Sequence, residues 1–233
     1  MKKYYYIIIP FYLALYIQII SYYFIPAYDF FVDYGYYYSA SLRFLANQTL
    51  YKNNFVYLPS FFILIPLLVD NTLYIIFLLI CLMISSIILL RLENNYLTFI
   101  FFILLPFLYL YNGNIDPFIF MILLITIYFK ENEFIPPILL AVIMFKPNVI
   151  LVLPFFLYIA ENRIRFMLIF SLVLTLLNAY FFFNFFLLFD YLDYIFFDWQ
   201  STHPFDYIRP YWLYYVYFYW LKYNFEKSEF SRI

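Results

Sequence analysis

The chain has 233 residues, of which 68% are hydrophobic and 12% charged, with a net charge of -1 and a mean hydropathy of +0.87. Soluble domains carry about 25% charged residues, so composition excludes an ordinary soluble enzyme and leaves a polytopic membrane protein, with no nucleic-acid partner expected. Strand-type alternation is absent, and only an α-helical bundle satisfies so much backbone inside lipid. The expected fold is therefore all-α: a single transmembrane domain over 1–233 with about eight spans, one short re-entrant or partial segment, and an interfacial helix in the first outer loop.

In chain order, apolar segments run over 4–25, 55–69, 73–90, 96–111, 117–129, 134–145, 149–160, 166–189 and 211–222. The first follows Lys2 and Lys3 and has no small-x-small cleavage pattern, so it reads as a retained signal anchor. Segment 55–69 is short for a span and contains Pro59 and Pro66, which interrupt a helix. Segments 117–129, 134–145 and 149–160 are also short, so the loops between them sink below the membrane surface. The one cysteine, Cys81, lies inside an apolar run, which excludes a disulfide framework and a cysteine metal site. No metal or cofactor is expected.

The connectors divide by charge type. Those at 26–54, 70–72, 112–116, 146–148 and 190–210 hold all eight aspartates and four basic residues, Arg43, Lys52, Lys146 and Arg209. The others hold all six glutamates and nine basic residues. The nets are -4 and +3, and the positive-inside rule places the second set, with both termini, in the cytoplasm. The external loops are then 26–54 and 190–210, in a multi-pass protein of the cell membrane. This partition requires 55–69 to return to the side it came from, and a re-entrant segment implies an outward-facing cavity that wets or buries its backbone.

The first outer loop is the most patterned part of the chain. Tyr34, Tyr37, Tyr38, Ser41, Leu42 and Leu45 form one apolar or aromatic stripe at helical spacing behind Asp33, as in a helix lying in the interface plane. Asp33 reads either as the N-cap of that helix or as a general base held at the membrane surface. Lys146 is costly in an apolar setting and so reads as paired or functional: a salt bridge to Asp116, or a ligand for a phosphate. His203, Asp206 and Arg209 cluster in the last loop, either as a solvated turn or as ligands for phosphate or sugar hydroxyls. A single histidine does not make a zinc site.

Asp33, Tyr37-Tyr38, Ala40, Leu45, Asn47, Tyr51 and then Phe55-x-Tyr57-x-Pro59 resemble the first outer loop of glycosyltransferase family 87, mannosyltransferase-like GT-C enzymes that use polyprenol-linked donors. Gly113-Asn114-Ile115-Asp116 stands where that family has G-Q-x-N, and Lys146-Pro147 followed by Glu161-Asn162-Arg163 resembles its K-x-x-P segment and basic helix end. The resemblance covers about residues 29 to 170. Asn47 replaces a family glycine, Leu58-Pro59 replaces Pro-Pro, and the chain is unusually short for the family. The resemblance implies transfer of a hexose, often mannose, from a polyprenyl-phosphate sugar to a lipid or glycan acceptor on the outer face, by inversion and without metal. Asp33 would be the catalytic base, while Asp29, Tyr37, Arg43, Tyr57, Asn114, Asp116, Lys146, His203, Asp206 and Arg209 would contact substrate. The alternative is a non-catalytic protein that binds or translocates lipid-linked sugar, or a membrane subunit of a larger complex.

Overall fold

A computed structural model describes residues 32–46, 61, 64–68, 70–92, 114–179, 188, 189, 192 and 215–220. Every element among them is helical: α1 Val32–Leu45, α2 Ile65–Leu68, α3 Asn71–Leu92, α4 Asp116–Tyr128, α5 Ile135–Ile143, a 3-10 helix Pro147–Val152, α6 Leu153–Ile159 and α7 Arg163–Leu177. Residues 215–220 form a further helical piece, α8.

Among the described residues, only α3 is long and apolar enough to cross a membrane. Its 22 residues span about 33 Å at 1.5 Å per residue, and Asp70 and Arg91 bracket a stretch free of charge. The all-helical expectation holds over the described residues, but of the eight expected spans they contain one helix of span length, with shorter ones around it. Segments 117–129, 134–145 and 149–160 match α4, α5 and the 3-10/α6 pair, while 4–25 and 96–111 lie outside the described residues. Segment 166–189 is not one continuous helix, because α7 ends at Leu177. Asn178 terminates it, its backbone leaving helical geometry while its Nδ2 donates to the carbonyl oxygen of Leu174. Short polar side chains compete for backbone groups in this way at helix ends.

α4 is the centre of the bundle. It is apolar and buried on nearly every side, as expected of a helix enclosed by others, and it packs between α3 and α5, with Tyr215 of α8 edge-on to Phe120 at 5.6 Å. α3 and α4 run in the same direction. Phe77 meets Phe118 near their starts at 5.4 Å, and Arg91 Nη1 donates to the Tyr128 hydroxyl at 3.4 Å near their ends. α5 then packs on α7.

Two further features suit an apolar surround. The hydroxyls of Ser85, Ser86 and Thr126 each donate to the carbonyl oxygen four residues earlier, at 2.7 to 2.8 Å, so no partner outside the helix is needed for them. The outward faces are aliphatic: Leu73, Ile76, Ile80, Met83 and Ile87 on α3, and Ile164, Leu168, Leu172 and Leu176 on α7. In water such stripes would be polar.

Prolines mark the starts. Pro117, Pro136, Pro147 and Pro154 all sit in the first turn of their elements, where a missing N–H costs nothing. Asp70 caps α3 by accepting two backbone N–H groups, Asn162 caps α7 by accepting that of Arg165, and Asn132 accepts those of Phe134 and Ile135 in the turn that leads into α5.

Candidate functional site

The site is built by a Lys-Pro dipeptide. The residue before a proline is driven out of the α region, and Lys146 accordingly has φ -93° and ψ 109°. α5 ends before it, Phe145 is left buried, and the Lys146 side chain turns back towards the start of α4. There Nζ donates to Asp116 Oδ1 at 2.5 Å and to Asn114 Oδ1 at 3.4 Å, while the Asp116 backbone N–H also donates to Asn114 Oδ1 at 3.0 Å. The carboxylate lies deeper than the ammonium, with Asp116 2% exposed and Lys146 12%.

Asp116 owes its position to α4: it is the first residue of the helix, where the macrodipole favours a carboxylate, with Pro117 behind it fixing the first turn. The ion pair expected between Asp116 and Lys146 is present, and Asn114 joins it. Asparagine at that place was one of the family-motif positions, but nothing in the sequence showed that its side chain would accept from both the Asp116 backbone and Lys146.

An aromatic chain links this cluster to the first loop. Phe145 stacks on Phe118 at 6.3 Å and meets Phe61 at 5.4 Å, Phe61 meets Tyr37 at 5.1 Å, and Tyr34 meets Tyr74 at 5.1 Å. Tyr34 also donates its hydroxyl to the carbonyl oxygen of Leu68, the last residue of α2, at 2.8 Å. Phe61 and Leu68 thus both lie against α1, so the described part of 55–69 stays at one end of the bundle. Burial together with the nearby Tyr38 and Asp70 raises the pKa of the Tyr34 phenol above its ordinary value.

The α1 stripe divides between two surroundings. Tyr37 and Ser41, with the neighbouring Ala40, are buried against the bundle, whereas Tyr38, Leu42 and Leu45 face outwards. Asp33 stands near the start of α1. Tyr37, assigned to substrate by resemblance, is a packed core ring here. Arg43 lies in the last turn of α1, where a cation suits the helix dipole, and burial lowers its pKa. Asp29, Tyr57, His203, Asp206 and Arg209 lie outside the described residues.

No family model, curated protein or solved structure matches this chain.

The opposite end of the bundle is chemically different. Arg165 pairs with Glu133, and Lys130 Nζ donates to the Tyr219 hydroxyl at 3.3 Å. A small, open cleft lies between the α4–α5 and α6–α7 turns, with Phe156 and Phe166 in its wall and Lys130, Glu131, Glu133 and Glu161 around it. Glu133 there is paired with Arg165, so the cleft sets Glu131 and Glu161 against Lys130.

Proposed function

We propose that the chain is an integral-membrane glycosyltransferase that moves a hexose from a polyprenyl-phosphate sugar to a lipid or glycan acceptor at the outer face. The observation that carries the reading is the convergence of Lys146, Asp116 and Asn114 at the end of the bundle where α1 packs. The aliphatic outward faces of α3 and α7 support the membrane setting, with the shorter helices as further spans of a multi-pass bundle.

In this reading the phosphate of the donor docks at Lys146. The acceptor oxygen attacks the anomeric carbon, the bond from that carbon to the phosphate oxygen breaks, and its electron pair leaves with the phosphate. Asp33 takes the acceptor proton. The phosphate is already a good leaving group, so a base, positioning and one cation suffice. Membranes containing the protein, incubated with a radiolabelled polyprenyl-phosphate hexose, are expected to transfer label. Asp33→Ala is expected to cut the rate by 10²-fold or more, in the range that general-base catalysis supplies. Undiminished transfer by Asp33→Ala would remove Asp33 from the role of base.

One observation favours a second reading. The Lys146 ammonium already contacts a buried carboxylate, a structural role that suits a protein that binds or translocates lipid-linked sugar without reacting with it. That protein would retain the labelled donor and release no transferred hexose.

A further inference from the structure

The outward stripe of α3 ends in a charge. Leu73, Ile76, Ile80, Met83 and Ile87 recur every three or four residues and are exposed, and Arg91 follows Ile87 by four residues on the same line and is exposed as well. Its guanidinium lies against the end of α4: Cζ stands 6.0 Å from the centre of the Tyr128 ring, and Nη1 donates to the Tyr128 hydroxyl at 3.4 Å. Phe129 meets Tyr128 edge-on at 5.1 Å, and both rings are exposed. We propose that this corner binds one anionic phospholipid, with the headgroup phosphate at Arg91 and Tyr128 and an acyl chain along Ile87, Met83 and Ile80. The proposal rests on the membrane setting and not on the transfer of a sugar.

What the two polar groups leave unused points to the phosphate. Among the described residues Arg91 makes no ion pair, and its hydrogen-bond partner is a neutral phenol. That phenol accepts from Nη1 and donates its own proton to nothing. A guanidinium carries five N–H donors in a planar fork that fits two phosphate oxygens, so two adjacent side chains offer donors at one exposed corner. An anionic headgroup is favoured over a zwitterionic one, whose own cation competes with the guanidinium for the phosphate.

Register and length point to the lipid. A cation in the last turn suits the helix dipole on any face of the helix. Arg91 stands on the face that is aliphatic and outward, in line with Ile87. From Arg91 back to Ile80 is eleven residues, about 16 Å at 1.5 Å per residue, close to half of the roughly 30 Å hydrocarbon thickness. A headgroup held at Arg91 therefore lays its chain over Ile87, Met83 and Ile80 as far as the middle of the bilayer. Arginine with exposed aromatic rings at this level is the side-chain set of a membrane–water boundary.

Phosphatidylglycerol and phosphatidylcholine with the same acyl chains, titrated into the full chain in nonionic detergent at low ionic strength, test this, with native mass spectrometry counting bound lipid. The wild type is expected to bind its first phosphatidylglycerol about fivefold more tightly than phosphatidylcholine, the effect of one arginine near an anionic surface, and Arg91→Gln is expected to abolish that preference. Arg163→Gln removes another exposed arginine at the same end and is expected to leave the preference intact. A loss as large as that of Arg91→Gln would show a diffuse attraction and overturn the site. Glycerophosphoglycerol, the headgroup without acyl chains, is expected not to displace the lipid at equal concentration, and displacement would overturn a lipid as the occupant. Equal wild-type affinities for the two lipids would overturn the site and leave the membrane setting standing, whereas retention of neither lipid would remove the membrane setting and the site with it. The wild-type comparison requires no variant to fold, and both arginines are exposed at helix ends, so thermal midpoints near that of the wild type are expected for the two variants.

Discussion

Lys146 keeps a charge at the rim of an apolar bundle, with Asp116 and Asn114 receiving it. Removing one partner strands the other, and breaking a buried pair costs about 3–5 kcal/mol, whereas replacing both by apolar residues is often neutral. Lys146→Met should therefore lower stability by several kcal/mol, and Lys146→Met with Asp116→Leu should recover most of it, as read by thermal unfolding in detergent. Tyr34 supplies a pH-dependent test. Its raised pKa means the folded state holds the phenol proton more tightly than the unfolded chain does. Its contribution is whole below about pH 10, the ordinary tyrosine value, and is lost as pH rises through the higher folded value. Tyr34→Phe should cost about 1 kcal/mol at neutral pH through the lost bond to Leu68, and the variant should lack that part of the alkaline loss.

At the scale of elements, hydropathy located α3, α4 and α5 to within a few residues, because apolar runs bounded by Asp70, Arg91, Asp116 and Lys146 leave little freedom in where a helix stops. The length of α7 was not legible. Asn178 sits in an apolar run, and only its side-chain bond to Leu174 reveals it as a stop. The two-sided character of α1 was also hidden, since a stripe drawn from spacing does not tell which aromatic rings meet protein and which face outwards. The outward face of α3 yields a discriminating experiment. Ile80→Arg should reduce membrane integration by about 2.5–3.5 kcal/mol in an insertion assay if lipid covers that face. On a water-facing helix the same change would be nearly neutral, within about 0.5 kcal/mol.

Over the whole molecule, the split between aspartate-bearing and glutamate-bearing connectors reappears as two ends of one bundle. Asp70, Asp116 and Lys146 lie towards the α1 end, whereas Arg91, Lys130, Glu133 and Arg165 gather at the other. Among the described residues, charge type was readable because the turns at 129–134 and 144–146 are short and leave their charged residues at the end where the helices turn. The Asn114 contact was not, since it depends on how α4 and α5 approach each other in space. Single-cysteine variants at Asp70 and Glu131, in a Cys81→Ser background, should label with an impermeant maleimide from opposite faces of sealed vesicles. Labelling of both from one face would defeat the spanning arrangement.

Pro154 has a mechanical consequence. Lacking an N–H, it cannot bond the carbonyl of Ile150, which accepts from Leu153 instead, so Pro147–Val152 closes with a 3-10 bond where α6 begins. A 3-10 helix rises about 2.0 Å per residue against 1.5 Å for an α-helix, so these six residues gain about 3 Å of reach. The 3-10 segment works as a spacer: a stretch of fixed residue number reaches further between Lys146 at one end and α6 at the other.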